Sequence, residues 1–481
     1  MGGGNLHPGL PVPNPTTSYW QIPPHRIAEH RTTPELPSDA LDYVIIGSGI
    51  TGAAAAYKLY ARDPSASILM LEARTAASGA SGRNGGLCRA GWWLNYQRYA
   101  QAFGEDEALK FARLEEQNVA DVAAFVREHQ VDCDFEDLDT ADVYLTEAAW
   151  AEIKAVLELR REVQQRRPDD APTGLKEVFE GEAASRRVGI PNVVGAVTYP
   201  AHTQNPYLLV CKMLELSLAK GLNLQTNTPV HEIIESPRRD DLASTWTVKT
   251  SRGDVKTKQV ILATNAFTNS LHIGLARTGF MWPSRSQVTA IRPGSKVADN
   301  PAMHMNICLN DAHSGDYFHT RAPHLRGAGD ILYGGGRFLS PSREKGVTDD
   351  SKVNPKIAEY LRHAAANYFG SEAWGEEGAH MRDWSGITCY TPDTYPLVGE
   401  APGQKGLWMS VGMNGHGMAM AFRSAEALVH MITTGEEPSW FPKTFRLARA
   451  WSNSTIDLRQ MKVDEDKASY ASTTTEKKVQ I

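Results

Sequence analysis

The sequence has few cysteines, and they are not spaced to form a disulfide framework or a zinc site. Five occur among 481 residues, at Cys88, Cys133, Cys211, Cys308 and Cys389, and no two of them form a Cys-x-x-Cys pair. An odd number of widely separated cysteines is typical of a protein in a reducing compartment. We therefore expect a cytoplasmic location and no metal centre.

Long apolar runs and an excess of basic charge are also missing. No stretch approaches about eighteen consecutive apolar residues, and the N-terminus lacks the charged-then-apolar pattern of a secretory signal. The 50 Lys and Arg residues are outnumbered by 56 Asp and Glu residues, and the basic residues are dispersed. These absences argue against a membrane or nucleic-acid partner and favour small molecules. They do not indicate an oligomeric state.

The first 40 residues, which we call the arm, contain eight of the 27 prolines. Proline lacks the N–H group that regular helices require, so this composition predicts an extended segment. Two interpretations remain open. The arm could be a disordered tail, or Tyr19, Trp20 and Ile22 could attach it to the body of the protein.

The rest of the chain has the composition of a folded α/β protein, with 41% hydrophobic and 22% charged residues. Hydrophobic periodicity predicts helices and strands from residue 42 onwards. The predicted helices span 53–60, 105–129, 147–167, 206–220, 355–369 and 417–433, and the predicted strands span 43–46, 67–71, 222–226, 230–235, 245–250, 259–263 and 407–412. Between about 283 and 340, several strand-like runs follow one another without a long helix, which indicates an antiparallel sheet inserted into the α/β body.

The motif with the clearest chemistry is Gly47-Ser48-Gly49-Ile50-Thr51-Gly52, which follows the first predicted strand and opens a helix. The glycines allow a tight turn and a close backbone approach to a pyrophosphate, and the N–H groups at the helix start favour its charge. Glu72 stands at the end of the next strand, where a carboxylate can bind a ribose hydroxyl. The motif predicts a dinucleotide cofactor, and both NAD and FAD remain possible on these residues.

A small, polar loop follows within ten residues of Glu72. It is Ser78-Gly79-Ala80-Ser81-Gly82-Arg83-Asn84-Gly85-Gly86, which we call the SGRNGG loop. A loop of this composition could pass close to the phosphates and the ring of a cofactor.

These motifs together resemble the D-amino-acid oxidase family of FAD-dependent oxidoreductases, which includes glycine, sarcosine and glutamylputrescine oxidases. The resemblance rests on the glycine fingerprint, Glu72-Ala73-Arg74, the SGRNGG loop and a C-terminal run from Gly412 to Met418. The arm, with Ser18-Tyr19-Trp20-Gln21, is similar to fungal members. The resemblance implies an α/β (α+β mixed) fold, in which an antiparallel-sheet substrate domain is inserted into a Rossmann-like FAD-binding domain.

On this resemblance the chain divides into seven segments. The arm (1–40) is followed by FAD-binding parts at 41–110, 201–282 and 381–450, a mostly helical part of the substrate domain at 111–200, its antiparallel sheet at 283–380, and a tail at 451–481. The family implies a non-covalently bound FAD and the oxidation of a C–N bond of an amine or amino acid to an imine. An acceptor other than oxygen, or a flavin-binding scaffold or sensor without turnover, remains an alternative.

The resemblance also implies which residues meet the cofactor and the substrate. The FAD contacts are expected at Gly47, Gly49, Ile50, Thr51, Gly52, Glu72, Ala73, Arg74, Ala80, Ser81, Gly82, Arg83, Asn84, Gly85, Gly86, Val230, Ala263, Thr264, Asn265, Gly412, Met413, Asn414, Gly415, His416, Gly417 and Met418. The catalytic candidates are Arg89, Tyr317, Arg337 and His416. Arg89 is the expected partner of a substrate carboxylate, with Arg337 as the alternative.

Three positions depart from the family pattern. The segment 330–337 contains no lysine of the kind that assists oxygen in sarcosine oxidases, and Ala419 stands where those enzymes have a substrate-binding lysine. Cys389 is offset from the point of covalent flavin attachment in some relatives, where Gly386 falls instead. The departure at Ala419 argues against recognition of a small α-amino-acid carboxylate in the manner of sarcosine oxidases, and the offset of Cys389 argues against a covalent flavin.

Overall fold

The computed structural model describes residues 7–169, 176–236, 246–297, 305–310, 315–376 and 378–452. In chain order the strands are β1 (Leu41–Ile46), β2 (Ile68–Leu71), β3 (Leu87–Cys88), β4 (Glu136–Tyr144), β5 (Glu177–Glu180), β6 (Gly195–Thr203), β7 (Asn223–Gln225), β8 (Val230–Glu235), β9 (Trp246–Thr250), β10 (Gly253–Leu262), β11 (Trp282–Arg292), β12 (Asn306–Asn310), β13 (Gly315–Thr320), β14 (Ile331–Gly334), β15 (Ala379–Tyr390), β16 (Leu397–Glu400) and β17 (Leu407–Val411). The α-helices are α1 (Ile50–Arg62), α2 (Tyr96–Phe103), α3 (Glu105–Glu128), α4 (Glu147–Arg166), α5 (Gly181–Val188), α6 (Pro206–Leu218), α7 (Thr268–Leu271), α8 (Ile273–Thr278), α9 (Pro355–Trp374) and α10 (Ala421–Thr434).

The first sheet is the predicted dinucleotide-binding sheet. Its strands run in the order β16-β17-β10-β1-β2-β7, with β8 and β9 attached beside β10. The neighbours β1–β10, β1–β2, β2–β7 and β10–β17 are parallel, whereas β16 and β9 run antiparallel to their partners. The central strands are buried, as Val44, Ile45 and Ile46 show. A parallel sheet covered on both faces requires such apolar runs, which explains why these strands could be predicted from the sequence.

The second sheet runs in the order β15-β11-β14-β13-β12-β4-β6-β3, with β5 paired to β6. It collects strands from distant parts of the chain. The apolar face of β12, β13 and β14 packs against α9 and α5 in one cluster that includes Ile307, Phe318 and Leu361. The other face carries Cys308 and Tyr317, which line the cavity described below.

The second sheet differs from the prediction in two respects. The pair β4–β12 is parallel, so the sheet is not wholly antiparallel. Strand β15 pairs with β11 along its whole length, from Ala379 to Tyr390. The segment 381–450, expected to belong entirely to the FAD-binding domain, therefore begins with a strand of the second sheet. Strands of both sheets have similar local patterns, and only long-range pairing assigns each strand to its sheet.

The described part of the arm, residues 7–40, packs against the body of the protein. Trp20 is buried, with 3% of its surface exposed, and Ile27 joins the same hydrophobic cluster. Further along, Thr32 accepts a hydrogen bond from the N–H of Leu224 at 2.9 Å, at the edge strand β7. The second interpretation of the arm, an ordered segment attached by Tyr19, Trp20 and Ile22, agrees with this packing for Trp20, but Ile22 is exposed and does not attach the arm.

None of the helices among the described residues has the length and apolar character needed to cross a membrane.

Candidate active site

A cavity of about 840 Å³ lies between the two sheets. On one side it is lined by the carboxyl ends of β1 and β2, at Ile46 and Leu71, and by Ala263 just after β10. On the other side it is lined by residues of the second sheet, among them Cys308 and Tyr317. Crevices at the carboxyl ends of parallel strands are the usual ligand sites of open α/β sheets. The position of the cavity therefore agrees with a dinucleotide site.

The glycine fingerprint forms the turn between β1 and α1. Gly47 has φ of 102°. It lies so close to the end of the neighbouring strand β10 that a Cβ atom there would be 2.8 Å from the Ala263 carbonyl oxygen. At Gly52 a Cβ atom would lie 2.0 Å from the carbonyl oxygen of Gly47. Gly49 is the N-cap of α1, so the first helical N–H groups follow it directly. The first N–H groups of a helix lack backbone acceptors and can bind an anion. The N–H of Ile50 already donates to the Ser81 hydroxyl at 2.8 Å.

Glu72 lies at the end of β2 and lines the cavity. Its carboxylate accepts hydrogen bonds from the backbone N–H of Ser48 at 3.0 Å, from the Ser48 hydroxyl at 2.7 Å and from the N–H of Arg74 at 2.9 Å. These bonds fix the orientation of the carboxylate beside the fingerprint. A ribose hydroxyl could donate to the remaining lone pairs of the two oxygens.

Two buried arginines share one carboxylate beside the SGRNGG loop. Arg74 Nη1 lies 3.0 Å from Asp350 Oδ1, and Arg83 Nε lies 3.8 Å from Asp350 Oδ2. Both guanidinium groups also donate to the Ser78 carbonyl oxygen. Burial lowers the pKa of Arg83 to about 10, which leaves it protonated at neutral pH. The cluster therefore carries net positive charge at the cavity wall, which suits an anionic ligand.

The run from Gly412 to Met418 connects β17 to α10. The expected strand-to-helix turn is present. Its helix begins at Gly417 with a short 3-10 helix, Gly417–Ala419, and continues as α10 from Ala421. The Asn265 side-chain oxygen accepts from the N–H of Gly412 at 2.9 Å and joins this turn to the end of β10. His416 lines the cavity and pairs through Nε2 with Oε1 of the buried Glu115 on α3.

Most residues expected to contact the cofactor or the substrate line this one cavity. They are Gly47, Gly49, Ile50, Thr51, Glu72, Ala73, Arg74, Ala80, Ser81, Arg83, Asn84, Gly85, Arg89, Val230, Ala263, Thr264, Asn265, Tyr317, Arg337, Met413, Asn414, Gly415, His416, Gly417 and Met418. The glycines at 52, 82, 86 and 412 do not line it. At Gly82 and Gly86 an added Cβ would approach the Ala77 carbonyl oxygen to 2.4 Å and Trp20 to 2.8 Å, so these two glycines serve the packing of the loop.

Arg89, the expected partner of a substrate carboxylate, already has a carboxylate partner within the protein. Its Nη1 lies 2.8 Å from Asp142 Oδ1, and the Asp142 side chain is 0% exposed. Tyr199 donates to the other oxygen of Asp142 at 2.8 Å and also accepts from Arg89. This geometry does not support the expectation that Arg89 binds the substrate, because its charge is neutralised inside the fold.

Arg337 is placed differently. It lies just after β14, donates to the Ser284 hydroxyl at 3.4 Å and stacks over the Tyr390 ring at 4.8 Å. Within the described ranges no carboxylate lies within ion-pair distance of it. Tyr317 faces the same cavity, and burial raises the pKa of its phenol above the ordinary value. The phenol therefore stays protonated and can act as a hydrogen-bond donor.

Sequence reasoning missed several charged and aromatic groups that line the cavity or bind the side chains that line it. They are Glu115, Asp142, Tyr199, Asp350 and Tyr390. All five are partners of the predicted arginines or of His416 from distant parts of the chain. Only Tyr390 had a local signal, because alternation along β15 places it on the same face as Gly386 and Thr388, which also line the cavity.

The family model described as "DAO: FAD dependent oxidoreductase" matches residues 42–431. A probable oxidoreductase, OrdL, of Haemophilus influenzae is 23% identical over 441 residues, covering 87% of this chain and 86% of that protein. The gamma-glutamylputrescine oxidoreductase of Escherichia coli is 24% identical over 329 residues, which cover 67% of this chain and 70% of that protein.

Solved structures show the same fold. Glycine oxidase from Geobacillus kaustophilus has a TM-score of 0.66 at 18% identity, and the match covers 86% of this chain and 99% of the glycine oxidase chain. L-proline dehydrogenase from P. horikoshii also has a TM-score of 0.66 at 18% identity, with 86% and 98% coverage. The family match, which spans most of the chain including the fingerprint and the Gly412–Met418 turn, shows that the protein belongs to the DAO family of FAD-dependent oxidoreductases.

Proposed function

We propose that the protein oxidises the C–N bond of an amine or amino acid that carries a carboxylate, and that Arg337 binds that carboxylate. The observation that carries this proposal is the position of Arg337, a cation without an ion-pair partner among the described residues, on the wall of the cavity that contains the fingerprint. Curated relatives named as a glycine oxidase and a gamma-glutamylputrescine oxidoreductase support the choice of an amine substrate.

The residues around the cavity fit FAD. The fingerprint and the first turn of α1 would hold the pyrophosphate, Glu72 a ribose hydroxyl, and the turn containing His416 the pyrimidine edge of the flavin. The excess positive charge of Arg74 and Arg83 over Asp350 suits the same anionic ligand. Bound FAD supplies the two-electron acceptor for a hydride.

The protein's contribution to the reaction is then binding and orientation. Arg337 would hold the carboxylate with two charge-assisted hydrogen bonds, and the Tyr317 hydroxyl would donate a third. This arrangement orients the C–H bond of the substrate. The substrate carbon loses a hydride and the amine nitrogen loses a proton, which gives an imine that water hydrolyses. Oxygen or another acceptor would then take the electrons.

An anaerobic screen tests this function. The yellow protein is mixed without oxygen with secondary amines, D-amino acids and polyamine derivatives, and its flavin absorbance is recorded. We expect bleaching by at least one compound that contains both an amine and a carboxylate. Protein that stays yellow with every compound would favour the alternative of a scaffold or sensor. Reoxidation in air then separates an oxidase from a dehydrogenase.

Replacing Arg337 by Ala is expected to lower kcat/KM for a carboxylate-bearing substrate by about a hundredfold or more, because both charge-assisted hydrogen bonds are lost and each corresponds to about tenfold or more. Flavin content should not change. The rate with an analogue in which the carboxylate is replaced by an uncharged amide should fall much less. Arg326→Ala is the matched control, since Arg326 is exposed on the neighbouring loop and does not line the cavity. Equal losses for the acid and the amide would contradict the assignment.

We also expect the FAD to be bound non-covalently. The Cys389 thiol is fully buried in the apolar cluster with Ile387, and burial raises its pKa, so it is neither ionised nor at the cavity wall. Gly386 lines the cavity but has no side chain to form a bond. Acid precipitation should therefore release the yellow colour into the supernatant, and colour that stays in the pellet would show a covalent link.

A further inference from the structure

The SGRNGG loop contacts both the cavity and the arm, and residues 9–11 of the arm also line the cavity. One side of the loop lines the cavity through Ala80, Ser81, Arg83, Asn84 and Gly85. Gly85 packs so closely against the Tyr317 ring that a Cβ atom would lie 2.4 Å from it. A shift of the loop would therefore change both the cofactor wall and the position of Tyr317.

The loop is also bound by alternate residues of the arm. The Thr16 hydroxyl accepts from Arg83 Nη1 at 3.2 Å. The Ser18 hydroxyl, which is fully buried, donates to the Gly82 carbonyl oxygen at 2.6 Å.

The third contact is the largest. The Trp20 indole N–H donates to the Asn84 carbonyl oxygen at 2.7 Å, and its ring lies against Gly86. The same ring stacks over His319 of the second sheet, with centroids 6.3 Å apart. The arm therefore connects the loop to the sheet that forms the substrate side of the cavity.

The loop has hydrogen bonds of its own, from Arg83 to the Ser78 carbonyl oxygen and from the Asn84 amide to the Ala80 and Ser81 carbonyl oxygens, and the arm adds to them. The loop contains four glycines, at 79, 82, 85 and 86, and glycine has the largest conformational freedom of any residue. A ligand that binds to a flexible loop must first order the loop, and the conformational entropy lost in doing so lowers the affinity.

We propose that Thr16, Ser18 and Trp20 are positioning residues, which hold the SGRNGG loop in its cofactor-binding shape and thereby slow the release of FAD. The proposal goes beyond the substrate assignment and does not depend on it. It rests only on FAD binding in the cavity, so a failure of the Arg337 assignment would leave it unaffected.

The test is the rate of FAD release from the full-length holoprotein. Released FAD is followed by its fluorescence after dilution, and Kd is measured by adding FAD to the apoprotein. We expect Ser18→Ala and Thr16→Val each to release FAD at least about tenfold faster, since one net hydrogen bond corresponds to a change of about this size and the Thr16 hydroxyl also bonds the Asp350 carbonyl oxygen and the Ser385 N–H. Trp20→Phe keeps most of the ring but loses the N–H, and should show a similar increase.

Thr32→Val is the matched control. Thr32 belongs to the same arm and accepts an equally short hydrogen bond from the Leu224 N–H, but it contacts β7 and not the loop. The Thr32→Val protein should release FAD at the same rate as the unaltered protein. Melting temperatures of the apoproteins separate positioning from general stability, because a positioning role predicts similar values for Thr16→Val and Thr32→Val.

Two outcomes would overturn the proposal. One is unchanged FAD release in Ser18→Ala, Thr16→Val and Trp20→Phe. The other is equally accelerated release in Thr32→Val, which would mean that any loosening of the arm has this effect. If Ser18→Ala does not fold, Ser18→Thr takes its place. Threonine retains the hydroxyl, and its extra methyl group should shift the contact with the Gly82 carbonyl oxygen without removing it. The rate of FAD release from Ser18→Thr can then be compared with that from Thr32→Val.

Discussion

A Gly49→Val variant is expected to purify without flavin. Gly49 is the N-cap of α1 and lines the cavity, and a Cβ atom there would already lie 3.0 Å from the Ser81 hydroxyl oxygen. That hydroxyl accepts a hydrogen bond from the Ile50 N–H at 2.8 Å. The two methyl groups of valine must displace Ser81 or enter the space in front of the helix N-terminus, where a pyrophosphate would bind. We expect loss of at least nine-tenths of the bound FAD, which requires Kd to rise to about ten times the concentration of free FAD.

The ratio of FAD to protein, read from the absorbance spectrum, measures this effect. Arg62→Val is the control, because it places the same side chain in the same helix, at its exposed last turn. Circular dichroism should show a folded protein in both cases, since Gly49 has φ of −69°, which valine can adopt. A yellow and fully active Gly49→Val protein would mean that the fingerprint is a turn without a role in cofactor binding.

The parts of the fold that could be predicted are those set by neighbouring residues. The unit β1–α1–β2 follows from a buried apolar run, a glycine turn and a helical pattern, and the structure confirms it within a few residues. The helices at 105–128 and 147–166 have a clear charge periodicity and are confirmed as well. By contrast, the assignment of β15 to the second sheet depends on its pairing with β11, almost 100 positions earlier in the chain, and no local pattern encodes it.

The same distinction applies to the site. Most residues of the three motifs line one cavity because each motif is a continuous segment with its own turn chemistry. The electrostatic state of the predicted side chains depends on partners far away in sequence. Asp142 is 53 positions from Arg89, and Glu115 is 301 positions from His416. Sequence reasoning could place two arginines near a substrate, but only the structure distinguishes the paired Arg89 from Arg337.

Replacing Arg89 by Ala is therefore expected to reduce stability more than substrate binding. The variant leaves the Asp142 carboxylate, which is 0% exposed, without its cationic partner. Removing one member of a buried ion pair typically costs about 3–5 kcal/mol of the free energy of unfolding, because the remaining charge stays desolvated. We expect a loss of this size in chemical denaturation, and any loss of flavin should follow from the unfolding. If Arg89→Ala keeps its stability, the ion pair does not contribute as the geometry indicates.

The double variant Arg89→Met/Asp142→Asn separates the two roles of Arg89. It removes both charges at once, and the amide oxygen of the introduced asparagine can still accept the hydrogen bond that Tyr199 now donates to Asp142 at 2.8 Å. Replacing both partners of a buried pair is often close to neutral, so most of the lost stability should return. With Arg337 as the carboxylate ligand, kcat/KM should then also return to within a few-fold of the unaltered enzyme. Restored stability with kcat/KM still about tenfold to a hundredfold lower would identify Arg89 as the substrate ligand, because one charge-assisted hydrogen bond has that value.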